Sequence, residues 1–366
     1  MPDEKVKKKI VISAVNLVEG GPLTVLLECL KYSSANLADE YEIIALVNRK
    51  GLCPFKNITY LEFPESKKSW INRLYYEYYY FSKLAKRLNP FLWLSLHDIT
   101  PNVRASRLAV YCHNPSPFPA ISFKDVRWGG YKFILFKLFY RYLYAINIKK
   151  NNFVILQQDS LRKRFRQLTG VSNIIVAHPG ISSEIKVSSL SGDENIFFYP
   201  AFPRVFKNLE VICRASEILL KEGIDNFKII FTISGTENRY AKYIYNSFKH
   251  IKNIKFLGIL NRDKVLELYR SASCVIFPSK LETWGIPITE AKLFSKPILL
   301  ANLEYAYETL GAYDKVNFFN PDDFRQLAAL MKGLINKTAV FEKIEAKAIP
   351  APFSQNWREL FDILLR

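Results

Sequence analysis

The sequence predicts an α/β protein made of two doubly wound parallel sheets in tandem. The chain has 366 residues, and at roughly 150 residues per domain this length suggests two domains. Short apolar runs alternate with longer amphipathic segments, which is typical of a parallel sheet with helices on both faces. The alternation restarts after a polar stretch at 182–194, SSEIKVSSLSGDE, which is the best candidate for a linker.

The first series of elements fills residues 1–183. Apolar runs of about four to eight residues predict strands, because strands of a parallel sheet are buried on both faces. Segments with helical periodicity occupy most of the gaps between them. The predicted strands are 9–15, 42–47, 58–63, 91–96, 107–112, 152–157 and 173–177, and the predicted helices are 22–32, 69–88, 130–148 and 159–168.

The second series fills residues 184–348 and follows the same alternation. Its predicted strands are 195–200, 227–233, 254–257, 274–278, 297–301 and 316–319, and its predicted helices are 207–221, 237–250, 261–272, 287–295 and 321–335. A last amphipathic segment, FSQNWRELFDILLR, predicts a helix within 349–366 that packs back toward the N-terminal domain. Ligands of doubly wound sheets bind at the carboxyl ends of the strands, so we expect a site in a cleft between the domains.

The cysteines and the apolar runs bear on the cellular compartment of the protein, and the histidines bear on metal binding. The five cysteines are scattered without a Cys-x-x-Cys pair, and the four histidines show no metal-ligand spacing. The first 20 residues begin like a signal peptide, but their apolar run is short and no small-residue cleavage site follows. No apolar stretch reaches the roughly 18 residues of a membrane-spanning helix. We therefore expect a cytoplasmic protein whose first apolar run is a buried strand.

The net charge is +18 and is unevenly distributed. Residues 1–183 contain 27 Lys and Arg against 13 Asp and Glu, whereas residues 184–366 contain 25 against 21. An excess of +14 in the first half favours an acidic partner: anionic lipid, nucleic acid or a phosphorylated substrate.

The segment 277–300, FPSKLETWGIPITEAKLFSKPILL, joins a predicted strand to a predicted helix. Pro287 suits the first helical turn, and Gly285 allows a ligand to approach the backbone closely. A helix N-terminus binds phosphate, while the carboxylates of Glu282 and Glu290 accept hydrogen bonds from hydroxyl groups. A nucleotide-sugar has hydroxyl-rich groups on both sides of a diphosphate and fits this pattern. The alternative is a pair of solvated acids that stabilise the helix dipole.

The pattern PSxxExxGxPxxEA in this segment resembles the signature of the retaining glycosyltransferases of family 4, also described as glycosyl transferases group 1. The resemblance continues through SKPILLANLEYAYETLG and NFFNPDDFRQLA, although Ser295 stands where the family usually has Gly. It implies the GT-B fold, with two Rossmann-like domains facing a cleft. It also implies a nucleotide-sugar donor. The candidate donor-binding residues of this segment are Thr283, Trp284, Gly285, Ile286 and Glu290, with Glu282 as a candidate catalytic residue.

The resemblance extends to shorter segments. Arg204 and Lys207 precede a predicted helix, where the family has an Arg and a Lys that hold the donor phosphates. His113 follows a predicted strand, where the family has a histidine that contacts the donor sugar; His97, after another strand, is the main alternative. The remaining candidate donor-binding residues are Gly20 and Gly21 in the first glycine loop, Gly235 in a turn, and Leu260 near the nucleotide base.

The expected chemistry follows from the same resemblance. It implies front-face attack by an acceptor hydroxyl with retention of configuration, in which the leaving phosphate takes the proton. A double-displacement route would need a carboxylate beneath the anomeric carbon, which the sequence leaves open. No Asp-x-Asp occurs in the chain, so we expect no metal and no cofactor, with cationic side chains stabilising the leaving group instead.

Two segments rich in aromatic and basic residues bear on the acceptor. The stretch 131–150 contains no acid and carries five Lys or Arg among seven aromatics, and 71–88 is similar. Such helices suit an anionic membrane surface, although they would also serve as ordinary helices flanking the first sheet. With the +14 charge, they favour peripheral contact at the inner face of the plasma membrane and a lipid-linked or oligosaccharide acceptor, as in O-antigen or capsule synthesis.

Other functions remain as alternatives. A nucleotide-sugar epimerase or a glycogen-synthase-like polymerase would share the fold. A basic nucleic-acid-binding protein would fit the isoelectric point of about 9.5, but the aromatics recur at helical spacing rather than along a groove, so we expect no nucleic-acid partner. A dinucleotide-dependent dehydrogenase is disfavoured because no Gly-x-Gly-x-x-Gly follows a strand.

Overall fold

The structure is a computed structural model that describes residues 6–114, 127, 128, 130–180 and 195–366. The predicted linker 182–194 and the predicted domain boundary after residue 183 lie outside the described residues. The described residues form two compact units. The first comprises 6–114, 138–180 and 349–366, and the second comprises 195–348 with the described residues between 127 and 137.

Each unit is built on one sheet. The strands are β1 (Lys8–Ala14), β2 (Tyr41–Val47), β3 (Thr59–Glu62), β4 (Leu92–Ser95), β5 (Arg107–Cys112), β6 (Phe153–Leu156), β7 (Ile174–Ala177), β8 (Asn195–Tyr199), β9 (Phe227–Phe231), β10 (Ile254–Phe256), β11 (Cys274–Phe277), β12 (Ile298–Ala301), β13 (Tyr313–Phe319), β14 (Glu342–Ile344) and β15 (Phe353–Ser354). The first sheet has the order β15-β7-β6-β5-β4-β1-β2-β3 and the second has the order β10-β9-β8-β11-β12-β13-β14. Among the described residues, the strand pairings are parallel except that of β13 with β14.

Helices connect the strands. They are α1 (Gly20–Asn36), α2 (Trp70–Tyr75), α3 (Phe81–Leu88), α4 (Gly130–Ala145), α5 (Asp159–Thr169), α6 (Leu209–Lys221), α7 (Arg239–Phe248), α8 (Arg262–Ser271), α9 (Ile286–Leu293), α10 (Glu304–Leu310), α11 (Phe324–Ile335) and α12 (Trp357–Leu365). A π-helical turn, Tyr76–Tyr80, joins α2 to α3. No helix among the described residues is long and apolar enough to cross a membrane.

The apolar pattern of the strands explains both sheets. Every residue of β4, β11 and β12 is buried, as expected for strands covered on both faces. In the first sheet Ile10 of β1 pairs with Ile43 on one side and Leu92 on the other, which places a continuous apolar row across the core. The prediction of two mainly parallel α/β sheets is confirmed.

The C-terminal segment belongs to the first unit. Helix α12 buries Trp357, Leu360, Phe361 and Leu364 in the core of that unit. The Phe361 ring stacks on Tyr32 of α1, with the ring centroids 5.7 Å apart. The chain therefore returns to its first unit after completing the second.

One stretch groups differently from the sequence-based division. Residues 127–137 were assigned to the first domain by the sequence, but they group with the second unit. The Trp128 ring stacks on Tyr243 of α7, with the ring centroids 4.2 Å apart. This aromatic pair is one contact that holds Trp128 to the second unit.

Candidate functional site

The motif segment 277–300 runs from β11 through a loop into α9 of the second unit. The Lys280 backbone N–H donates to the Phe206 carbonyl at 2.7 Å, which ties the loop to the turn after β8. The Tyr305 hydroxyl of α10 donates to the Ser279 carbonyl at 2.6 Å. The loop is thus held from two sides, so the side chains it carries have defined positions.

Gly285 makes the sharp turn between the loop and α9. Its φ of +86° lies in the left-handed region, which favours glycine. A Cβ added there would lie 3.1 Å from Ile288 Cδ1 and 3.3 Å from Phe277 Cε1, so packing also excludes a side chain. Gly285 provides no side-chain cap to α9, and Ile286 and Pro287 open the helix. The first turn of α9 therefore has the form of a phosphate-binding helix N-terminus.

Glu282 and Lys207 are brought together from separate segments. The Lys207 Nζ lies 2.5 Å from Glu282 Oε1, and their side chains are 17% and 12% exposed. The Lys207 carbonyl accepts a hydrogen bond of 3.0 Å from the Tyr199 hydroxyl. Burial and the nearby Glu282 charge raise the pKa of Tyr199 well above its ordinary value. Lys207 and Glu282 thus form a mostly buried ion pair. It is fixed by its surroundings and keeps some surface that a ligand can reach.

Glu290 lies within α9 and forms an ion pair with Arg262 at the start of α8. The Glu290 side chain is only 4% exposed, whereas Arg262 is 51% exposed. Burial and the Glu290 carboxylate raise the pKa of Tyr269 well above its ordinary value. The partner of the candidate donor-binding residue Glu290 is therefore Arg262.

Leu260 directly precedes the N-cap of α8. The Asn261 side chain caps this helix by accepting from the Lys264 backbone N–H at 2.9 Å. Leu260 is partly buried, while Leu257 and Ile259 in the same loop are 47% and 73% exposed. The loop before Arg262 thus offers an apolar surface next to the Glu290 pair, which suits the face of a nucleotide base.

The turn after β9 contains Gly235 and an internal carboxylate. Gly235 has a φ of +94°, and an added Cβ would lie 2.6 Å from Tyr245 Cβ. Glu237 accepts from the backbone N–H groups of Ser234 and Gly235 at 2.5 Å and 2.9 Å. Burial tends to raise the pKa of Glu237, but hydrogen bonds from Ser234 and Gly235 outweigh it and lower the pKa below its ordinary value. Sequence reasoning selected Gly235 and missed Glu237.

Arg204 lies in the same turn as Lys207 but points elsewhere. Its side chain is exposed, and the guanidinium carbon lies 5.1 Å from the centroid of the Phe202 ring. The short 3₁₀ turn Val205–Lys207 follows Arg204 and ends at the left-handed Asn208, which has a φ of +57°. This turn also delays the helix predicted from residue 207, which begins at Leu209.

His113 follows β5 in the first unit and is held by its neighbours. Its backbone N–H donates to Asp98 Oδ1 at 2.5 Å, and its ring stacks on Tyr111 with centroids 4.7 Å apart. Gln157 Nε2 lies 3.4 Å from the His113 Nδ1. Burial lowers the pKa of His113, although the Asp98 charge opposes this shift. The ring is therefore kept neutral and oriented.

Asp98 was not selected by sequence reasoning. Besides His113, its carboxylate accepts from the Asn114 backbone N–H at 3.0 Å. The hydroxyls of Tyr140 and Tyr144, both on α4, each donate to it at 2.9 Å. The only sequence signal was an acid directly after a buried strand, in LWLSLHD.

A second buried cluster contains His97, the alternative to His113. His97 is fully buried, with its Nε2 lying 2.9 Å from Ser13 Oγ and 3.3 Å from Glu77 Oε1. Arg73 donates to the His97 carbonyl at 2.8 Å. Burial and the Arg73 charge lower the pKa of His97 well below its ordinary value. His97 is therefore enclosed in the core of the first unit, whereas His113 is intermediate in exposure.

Gly20 and Gly21 open α1 directly after the loop that follows β1. Gly20 has a φ of +65°, and its position has open space where a Cβ would stand. These glycines and His113 lie in the first unit, whereas the other candidate residues lie in the second. Among the residues that the structure describes, no group of three or more His, Cys, Asp or Glu side chains is arranged to hold a metal ion.

Two mainly parallel α/β units, one of them carrying paired acids and cations around a glycine turn, have the architecture of GT-B glycosyltransferases. Anabaena HepE, solved in complex with UDP-glucose, superposes with a TM-score of 0.68 at 16% identity over 90% of both chains. The lipopolysaccharide outer core galactosyltransferase WaaB superposes with a TM-score of 0.61 at 13% identity over 90% of both chains. These likenesses confirm the predicted fold class.

Residues 181–349 match the model of the family described as glycosyl transferases group 1. The match covers the second unit, which contains the Glu282–Glu290 motif, and it agrees with the resemblance of that motif to glycosyl transferases group 1. The serotype-specific mannosyltransferase WbdA of Escherichia coli is 28% identical over 154 residues, which make up 41% of this chain and 19% of WbdA. The chain thus spans about a fifth of the length of that relative.

Proposed function

We propose that this protein is a retaining, metal-independent glycosyltransferase that moves a hexose from a nucleoside-diphosphate-sugar to a hydroxyl of a saccharide acceptor. The observation that carries the proposal is the arrangement around Gly285. Two acid–base pairs, Glu282 with Lys207 and Glu290 with Arg262, flank an uncapped helix start. A donor with a diphosphate between two hydroxyl-rich groups matches this order of charges.

Each residue has a role in this proposal. Lys207, Arg204 and the N-terminus of α9 stabilise the negative charge that grows on the leaving diphosphate. Glu282 orients the sugar hydroxyls, and Glu290 binds the ribose or the sugar. The remaining donor-binding residues are assigned as close backbone or apolar contacts: Gly20, Gly21, Gly235, Leu260, Thr283, Trp284, Gly285 and Ile286.

The proposed reaction is a front-face displacement. The acceptor oxygen forms a bond to the anomeric carbon while the bond from that carbon to the diphosphate oxygen breaks. The electron pair stays on the phosphate, and a phosphate oxygen takes the acceptor proton. His113, held neutral by burial, is assigned to contact the sugar near the reacting carbon.

We also propose that the reaction needs no metal or other cofactor. The charge on a diphosphate leaving group must be met by cations or by backbone N–H groups. Lys207 lies next to Glu282, and the α9 N-terminus follows in the same loop, so both kinds of group are close together. Calorimetric titrations with and without a chelator test this directly.

The acceptor is proposed to be a lipid-linked saccharide in bacterial surface-polysaccharide synthesis, at the inner face of the plasma membrane. The names of WbdA, a mannosyltransferase, and WaaB, a lipopolysaccharide galactosyltransferase, support a surface-polysaccharide acceptor. The sequence excess of Lys and Arg in residues 1–183 supports an anionic surface.

The test is isothermal titration calorimetry of the purified chain against UDP, GDP, dTDP and CMP. We expect one nucleoside diphosphate to bind, with affinity unchanged by EDTA and reduced about tenfold or more in Glu290→Gln, because this variant removes a charged hydrogen-bond acceptor. Glu282→Gln should instead weaken binding of the corresponding nucleotide-sugar, whose hydroxyls Glu282 is proposed to orient. Glu267→Gln is the control, since Glu267 is an exposed acid on α8, the helix that also carries Arg262.

Four results would contradict the proposal or parts of it. Loss of nucleotide binding with EDTA would overturn metal independence. An inverted anomeric configuration in the product, read by NMR, would overturn retention, and interconversion of the donor sugar without acceptor would identify an epimerase. If no nucleotide binds but single-stranded DNA does, the protein is instead a basic nucleic-acid-binding protein.

A further inference from the structure

Two helical segments of the first unit expose large apolar side chains to an unusual degree. Their exposed residues are Trp70, Ile71, Tyr75 and Tyr79 on the first segment and Leu138, Phe139, Tyr142 and Ile146 on and just after α4. We call these eight side chains the aromatic face. Tyr142 is 63% exposed, Phe139 is 60% exposed and Ile71 is 79% exposed. Single exposed apolar residues are ordinary, but a set confined to two helices marks an interaction surface.

The two segments adjoin each other. The rings of Trp70 and Tyr140 meet edge to face, with centroids 6.0 Å apart. Farther along, Asn102 donates its backbone N–H to the Glu77 carbonyl at 2.9 Å and accepts from Lys150 Nζ at 3.2 Å. The two segments are therefore neighbours within the first unit, and each of them exposes apolar side chains.

Helix α4 has aromatic side chains on its exposed side as well as on its buried side. Phe139, Tyr142 and Ile146 recur at helical spacing and are exposed. Tyr140 and Tyr144 lie on the other side, where they are 4% and 1% exposed and donate to Asp98. The buried side thus fixes α4 through a carboxylate, and its opposite side presents apolar groups outward.

The stretch of sequence that carries the aromatic face is basic. Residues 70–150 contain 13 Lys and Arg against 3 Asp and Glu, a net charge of +10. Two of the three acids, Glu77 and Asp98, are buried. Lys83 donates to the Tyr79 hydroxyl at 2.7 Å, and Lys149 and Lys150 are exposed just beyond α4. Glu65, an exposed acid that precedes the first segment, is paired with Lys68.

We propose that the aromatic face docks on an anionic lipid surface, with Phe139, Tyr142 and Ile71 entering the boundary between headgroups and acyl chains. Aromatic side chains prefer that boundary, and lysines beside them reach the lipid phosphates. The inference deepens the proposed function only in placing the first unit where a lipid-linked acceptor would be met.

Two other occupants fit the face less well. A second copy of the chain would bring two of these basic stretches together, which electrostatic repulsion opposes. Single-stranded nucleic acid binds by stacking bases on aromatic rings, whereas Ile71, Leu138 and Ile146 have no ring to stack on. Aliphatic and aromatic groups together are suited to a hydrocarbon boundary.

The first experiment is vesicle sedimentation with the full chain. We expect binding to vesicles of phosphatidylglycerol and phosphatidylcholine, and about tenfold or more weaker binding to pure phosphatidylcholine vesicles. Phe139→Ser combined with Tyr142→Ser should lower binding to the anionic vesicles by about tenfold or more. Val340→Ser is the matched control, since Val340 is 85% exposed in the second unit. The contribution of charge is tested in the same way. Lys149→Glu combined with Lys150→Glu should lower binding to the anionic vesicles more than the control pair Lys252→Glu and Lys255→Glu does.

The second experiment reads insertion itself. The five native cysteines are all buried, so an environment-sensitive fluorophore can be attached selectively to Tyr142→Cys and, as a control, to Val340→Cys. We expect a blue shift on adding anionic vesicles, and quenching by brominated lipids, at position 142 alone. No shift at position 142, or equal shifts at both positions, would overturn the proposal.

The remaining outcomes identify other occupants. If Phe139→Ser with Tyr142→Ser abolishes a concentration-dependent dimer seen by analytical ultracentrifugation while vesicle binding stays unchanged, the face binds a second copy. If it abolishes DNA binding while vesicle binding stays unchanged, the face binds nucleic acid. Nucleoside-diphosphate binding depends on the second unit and should be unchanged in every face variant. Its absence in the wild-type chain would refute the proposed function and leave the lipid proposal standing.

Discussion

Two glycines of the second unit illustrate how single residues set local shape. Gly235 and Gly223 both have positive φ, at +94° and +75°. They differ in their surroundings, because a Cβ at Gly235 would overlap Tyr245, whereas a Cβ at Gly223 would meet no atom within 4 Å. Substitutions at these two glycines therefore distinguish the cost of backbone strain from the cost of steric overlap, because the backbone conformations are otherwise similar.

We predict that Gly235→Ala destabilises the second unit by about 2–4 kcal/mol and Gly223→Ala by about 1 kcal/mol. The alanine methyl adds strain at both positions, but only at Gly235 must Tyr245 and the turn also shift. Chemical unfolding monitored by circular dichroism measures both. Equal losses in the two variants would show that the overlap with Tyr245 relaxes without cost.

The residues of the candidate site were predictable to different degrees. Glu282 and Glu290 stand in a local pattern, so their segment was evident from the sequence. The partner of Glu290 was not, because Arg262 lies 28 positions earlier on another helix. Asp98 was missed for a related reason: its four donors come from the loop after β5 and from α4, and no local pattern reports such convergence.

At the scale of elements, the helical segment from Trp70 to Leu88 carries a carboxyl group that is buried in the first unit. Its central π turn, Tyr76–Tyr80, carries Glu77, whose side chain is fully buried between Arg73 and His97. Burial raises the pKa of Glu77 to about 8, with the Arg73 charge opposing the shift. The carboxyl therefore keeps its proton in the folded protein at neutral pH, when an unfolded chain would have lost it.

This difference in Glu77 protonation between the folded and unfolded states determines how the stability of the protein changes with pH. Between the ordinary pKa of 4.5 and about 8, the folded state binds one proton more than the unfolded state, so the Glu77 contribution to stability falls as pH rises. The slope for one proton is about 1.4 kcal/mol per pH unit. We predict that Glu77→Gln removes this slope, so the melting temperature of the variant minus that of the wild type increases from about pH 6 to about pH 8.

The control is Glu65→Gln, because Glu65 is exposed and lies just before the same segment. Its melting-temperature difference should stay flat over that range. A flat difference for Glu77→Gln as well would show that Glu77 is ionised in the folded protein.

Elements were predicted well where the pattern is local and less well where packing decides. All strands with long apolar runs appear, because such runs need cover on both faces. Helix α10 and strand β14 were missed, since both are short, and β14 (Glu342–Ile344) is a polar edge strand that pairs antiparallel with β13. The π turn within 69–88 was also missed, because its helical periodicity is nearly unchanged.

At the scale of the whole molecule, the chain builds the core of its first unit from both ends. Trp357, Phe361 and Leu364 of α12 are buried beside residues of α1 and the first sheet. The Arg162 guanidinium donates to the Pro350 carbonyl at 2.9 Å, and the Arg107 guanidinium donates to the Leu364 carbonyl at 2.9 Å. These contacts are far apart in sequence, so the first unit is completed only after the second has been synthesised.

This arrangement predicts a separation between stability and ligand binding. Phe361→Ala removes a ring that is 1% exposed, and a change of this kind costs about 3–5 kcal/mol. Because Phe361 packs only in the core of the first unit among the described contacts, we expect calorimetry to show a lower melting transition for that unit alone. Asp362→Ala, at an exposed position of the same helix, is the control and should leave both transitions in place.

A nucleoside diphosphate should raise only the transition of the second unit, since ligands stabilise the state they bind. If Phe361→Ala lowers both transitions equally, the two units unfold together and α12 supports the whole molecule rather than its first half.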